Sequence, residues 1–162
     1  MTPILSSIHM PALSEHVREE VGHELEGATR ELVDLSLIGK QLHWSVTGRT
    51  FRSLHLYLDE LVDSWRELSD TVAERSVALG HFPDGQARAI AESTELAPIA
   101  PGAMDVDVVV RELVSRIASV AERMRARMDR LGELDAASQD VLTEVVRALE
   151  EQLWMARSQL AD

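Results

Sequence analysis

The placement of proline limits this chain more than any other feature. The five prolines stand at positions 3, 11, 83, 98 and 101, and a proline inside a helix removes a backbone donor and clashes with the preceding turn. Two blocks, 12–82 and 102–162, are therefore free to run as long helices. In the first, Val17, Val21, Leu25, Ala28, Leu32, Leu35 and Leu42 recur at helical spacing, with Ser14 placed as an N-cap. The stretch "SVTG" ends this helix near Gly48. Thr50 is a candidate cap for the next, and Phe51, Leu54, Leu58, Leu61, Trp65, Leu68 and Val72 repeat the 3-4 pattern until "GHFPDG" stops it. The pair reads as a helical hairpin.

Between the blocks, "QARAIAESTELAPIAPGAMD" leaves room for one small helix near 86–94 within a long connection. Val108, Leu113, Ile117, Val120 and Met124 mark a third long helix, and Val141, Leu142, Val145, Leu149, Leu153 and Leu160 a fourth, separated by "GELDAAS". Strands are essentially absent from the pattern. The fold class is therefore all-α, and four long helices with one long crossover resemble a ferritin-like four-helix bundle. At 162 residues and 18.0 kDa the chain is expected to form a single domain over 1–162, with residues 1–12 a short N-terminal tail.

The formal charge of −12 repels phosphate backbones on average. Lys40 is the sole lysine, and "MTPILSSIHMPALSEHVREE" carries one arginine, so a basic DNA-binding tail is not visible. The opening also lacks a basic stretch followed by a long apolar core, which makes a cytoplasmic site the expectation. With no cysteine, any metal must be held by nitrogen and oxygen.

Such donors are concentrated in "KQLHWSVTGRTFRSLHLYLDE", residues 40–60. On the second helix His55, Asp59, Asp70 and Glu74 fall within roughly 100° of one another, away from the apolar stripe. His55 and Asp59 are spaced i,i+4, as are Asp70 and Glu74, so each pair can converge on one point. The pairs themselves lie roughly 16 Å apart along the helix. One chain cannot close such a site. If two copies of the helix lie antiparallel across a two-fold axis, opposed positions have a constant sum, and His55 with Glu74 and Asp59 with Asp70 share it. Asp63 and Arg66 share it too and are expected to pair across the axis. His43, near the end of the first helix, reaches the same height in the hairpin as His55. Two imidazoles and three carboxylates suit iron, manganese or zinc. The motif Glu-x-x-His occurs only at Glu20 and His23, on a polar part of the first helix. That stretch, with His9, His16 and His81, reads as surface.

These residues resemble a known family, the Dps proteins or miniferritins. The resemblance is carried by "HW.V.G..F...H...DE" from His43 to Glu60, by "D...ER" from Asp70 to Arg75 and by "LW" at Leu153 and Trp154. It implies a hollow dodecamer, built from two-fold dimers, that oxidises iron(II) with hydrogen peroxide or oxygen and stores the iron(III) mineral. The ferroxidase ligands it implies are His43, His55 and Asp59 of one subunit with Asp70 and Glu74 of its partner. Trp44 would lie beside the iron, either as a core aromatic or in a redox-protective role. Acids near the start of the last helix, Asp135, Asp140 and Glu144, would line an ion-entry pore. Two other functions compete: a nucleoid-associated cage that binds DNA with little iron turnover, and a metal-binding or adhesion assembly without catalysis.

Overall fold

In a computed structural model of the chain, residues 13–160 are described; the expected tail at 1–12 lies outside them. Seven elements follow in order: α1 Glu15–Ser45, β1 Val46–Thr47, α2 Phe51–Ala78, α3 Ala87–Ser93, β2 Met104–Asp105, α4 Val106–Gly132 and α5 Ala136–Ser158. Helices α1 and α2 form one hairpin and α4 and α5 the other, and the pairs pack α1 against α4 and α2 against α5. The result is a four-helix bundle whose crossover carries α3, as the proline positions require.

Each long helix begins where its sequence satisfies the free donors of the first turn. The Ser14 hydroxyl accepts from the Val17 N–H at 3.3 Å, Asp105 accepts from the Asp107 N–H at 3.1 Å, and Asp135 from the Ser138 N–H at 3.1 Å. Thr50 occupies the cap position of α2 without a side-chain bond. The turn before it depends on Gly48, whose φ of 126° is closed to ordinary side chains. The first helix stops at Ser45, earlier than Gly48, because Val46 and Thr47 leave it to pair in parallel with Met104 and Asp105. This small ladder ties the α1–α2 turn to the start of α4.

The core is the predicted stripe: Leu25, Leu32, Leu42, Leu58, Val72, Ile117, Met124 and Leu149 are wholly buried. At its centre the Trp65 indole donates to the Gln152 side-chain oxygen at 2.8 Å, and the Gln152 amide donates to the Ser64 hydroxyl at 3.0 Å. The Trp65 ring lies over Gly39 so closely that a Cβ there would come within 2.6 Å of it. Two positions of the expected stripe face outward. Phe51, the first residue of α2, is 40% exposed, and Val108 is 46% exposed because the buried face of α4 begins instead with Val109 and Val110. Helix α5 also starts sooner than "GELDAAS" suggests, because Asp135 caps it.

On the other flank, α1 and α4 are joined by ion pairs. The Glu24 carboxylate accepts from Arg127 at 2.8 Å and from Arg130 at 2.7 Å. Buried Glu31 accepts from Arg123 at 2.7 Å and Arg127 at 3.0 Å. Burial alone would push the Glu24 carboxyl up, but the hydrogen bonds from Arg130 and Arg127 outweigh it and hold the group below the ordinary glutamate range.

Candidate metal centre

The α1–α2 hairpin brings together the two histidines that are twelve residues apart in sequence. Their rings stack with centroids 3.6 Å apart and planes inclined by 22°, and the Phe51 ring lies tilted against His55 with centroids 4.9 Å apart. The contact is reciprocal. His43 Nδ1 lies 2.9 Å from the His55 carbonyl oxygen, and His55 Nδ1 lies 3.0 Å from the His43 carbonyl oxygen. A carbonyl only accepts, so both Nδ1 atoms carry the proton, and in the neutral rings both Nε2 atoms keep a free lone pair. Orientation of a ligating imidazole through its other nitrogen is how proteins prepare histidine for a metal.

Asp59 lies beside the stacked pair. One of its oxygens lies 3.3 Å from His43 Nδ1, and Lys40, one turn before His43 on α1, forms an ion pair with the same oxygen. The hydrogen bond from Lys40 holds the Asp59 carboxyl below the usual aspartate range, offset in part by desolvation. Sequence reasoning had missed Lys40. Its three-residue offset from His43 was the available signal, but only the crossing of α1 over α2 brings it to Asp59.

Asp70 and Glu74 stand exposed on the same flank of α2, near its C-terminal end. They do not meet His43, His55 and Asp59 within the chain. Among the described residues of one chain, no three histidine, aspartate or glutamate side chains are placed to grip one ion. Trp44 points outward, 71% exposed, so it is not a core aromatic of its own subunit. Of the acids near the last helix, Asp140 and Glu144 are exposed and share a groove with Thr143 and Arg147. Asp135 is placed differently: it caps α5 and bonds Arg75 at 2.7 Å, so its Oδ2 is engaged inside the subunit.

A family model described as a ferritin-like domain matches residues 23–162. The DNA protection during starvation protein of Mycolicibacterium smegmatis is 30% identical over 156 residues, covering 96% of this chain and 85% of that one. The chain belongs to the ferritin-like family, in its Dps branch. The DNA protection during starvation protein 2 of Deinococcus radiodurans is 28% identical over 149 residues, and the chain spans 62% of its length. The solved structure of Dps from Mycobacterium smegmatis in its tetragonal form superposes with a TM-score of 0.91 at 30% identity, with 96% of each chain covered.

Proposed function

We propose that this Dps protein is a ferroxidase and iron store whose centre is completed by a second copy of the chain. In this reading His43, His55 and Asp59 of one subunit and Asp70 and Glu74 of its two-fold partner hold iron(II), which is the substrate. The observation that carries it is the pair of imidazoles fixed by each other's backbone, beside Asp59 on the helix that also bears exposed Asp70 and Glu74. Nitrogen donors prepared in this way, beside carboxylates that lack an intrachain partner for the task, fit a divalent transition metal better than a solvated charged surface.

The residues have separable roles. The two imidazoles bind and orient the ion. Asp59, already ionised beside Lys40, contributes charge without first releasing a proton, and the partner's carboxylates add the remaining negative charge that favours iron(III) over iron(II). The redox balance is simple: two iron(II) ions give one electron each, and hydrogen peroxide takes both and leaves as two waters with two protons. Dioxygen is the alternative oxidant. Exposed Asp140 and Glu144, repeated about a three-fold axis of a dodecamer, would focus a negative potential that draws cations inward. Asp135, held by Arg75, contributes little to that field. The assembly belongs in the cytoplasm, where iron(II) and peroxide meet; among the described residues no helix is long and apolar enough to cross a membrane.

Protection of DNA, as the relatives' names have it, follows from removal of iron and peroxide without contact. A coating mode has less support, because net charge is −12 and Arg123, Arg127 and Arg130 of α4 are spent on Glu24 and Glu31. Stopped-flow oxidation of iron(II) with peroxide tests the reading. The wild type is expected to oxidise iron far faster than buffer, and His55→Ala to fall close to the buffer rate with assembly unchanged. Equal rates in the two proteins would refute it, and a salt-sensitive gel shift with duplex DNA would instead favour coating.

A further inference from the structure

A two-fold axis passing α2 at the point between Ser64 and Trp65 would oppose 45% exposed Leu56 to small Ala73, ligand Asp59 to ligand Asp70, and exposed Asp63 to the oppositely charged, exposed Arg66. Neither Asp63 nor Arg66 forms an ion pair among the described residues of its own chain. Arg66 is the one cation between Asp59 and Asp70, a stretch that also holds Glu60, Asp63 and Glu67. An antiparallel second copy would therefore press two acidic helices together with a single cation apiece to relieve them.

We infer that Asp63 and Arg66 form two symmetry-related ion pairs beside the two-fold axis, and that these pairs set the register in which the shared metal centre can form. The inference rests on the shared centre proposed above. At about 1.5 Å of rise per residue, each member lies roughly 2 Å along the helix from the axis, so no other charged pair of α2 stands nearer to it. Register matters because α2 offers competitors. A slip of four positions would set Arg66 against Asp59, and a slip of the same size in the other sense would set it against Glu67. The first consumes a metal ligand, and the second leaves Asp63 facing Asp70. Only the pairing with Asp63 gives Arg66 an acid that the metal does not need and leaves Asp59 and Asp70 opposed to receive a cation.

A charge swap decides this. Asp63→Arg and Arg66→Asp each place like charges at the axis, whereas the double variant restores opposite charges with the order reversed. Sedimentation velocity over a dilution series, at low ionic strength with a chelator present, reads the association directly, and circular dichroism verifies that each full-length variant is helical. Each single variant is expected to dissociate at concentrations higher by on the order of tenfold, and the double variant to return to within about twofold of wild type. Single variants that sediment as wild type, or a folded double variant that stays dissociated, would overturn the pairing. Titration of the wild type with zinc(II) separates the two levels. Zinc bound only by the associated form, with an inert swap, sinks the ion pairs and leaves the shared centre standing. Zinc bound equally well by dissociated chains sinks the centre and the pairing together.

Discussion

At the scale of single residues, the histidines are settled before any metal arrives. Each ring is held by the other's backbone, so the free nitrogen is Nε2 in both. Nitrogen-15 spectra of metal-free protein are expected to show the Nδ1–H form for His43 and His55, with zinc(II) moving the Nε2 signals; the Nε2–H form in either ring would contradict the geometry. Little of this was legible in the sequence. The residue types and their spacing singled out His43, His55 and Asp59, but stacking and the Lys40 ion pair depend on how α1 crosses α2, which no local pattern encodes. Trp44 illustrates the same limit: the sequence leaves it either a core aromatic or a residue beside the metal, and only the fold shows that it projects from the hairpin at 71% exposure.

At the scale of elements, the helices were readable because burial imposes a 3.6-residue period that proline cannot enter. The short helix expected at 86–94 is α3, Ala87–Ser93. The errors fall at ends: Phe51 opens α2 on its exposed side, and at the start of α4 the buried positions are Val109 and Val110, which leaves Val108 facing out. What joins α1 to α4 was invisible, since glutamates and arginines spaced along separate helices resemble solvated faces until the helices are packed. Buried Glu31 sits between Arg123 and Arg127, and Glu31→Ala, which takes an acceptor from both cations while Arg127 keeps Glu24, is expected to lower unfolding free energy by about 2 kcal/mol in chemical denaturation. Glu24 gives a pH dependence. Its folded pKa lies below the ordinary value of 4.5, so its contribution is complete above that value and is lost as pH falls through the lower, folded one. Between about pH 5 and pH 3 the wild type should therefore lose more stability than Glu24→Gln, and parallel losses would show that the Arg127 and Arg130 contacts add nothing.

At the scale of the whole molecule, the proposed centre divides its ligands into two incomplete halves on one flank of α2. In that reading the distance between them, about 16 Å along α2, makes association a condition for chemistry and not merely for storage. Complementation between damaged subunits tests this most directly. His55→Ala and Glu74→Ala assemblies should each be inactive alone. In a mixed dimer one centre gathers both lesions, while the other takes His55 from one chain and Glu74 from its neighbour and is whole. Co-assembly of the two variants in equal amounts is predicted to recover iron oxidation at about a quarter of the wild-type rate, as random pairing across a two-fold axis requires. A co-assembled mixture no more active than either variant alone would contradict a centre shared between subunits.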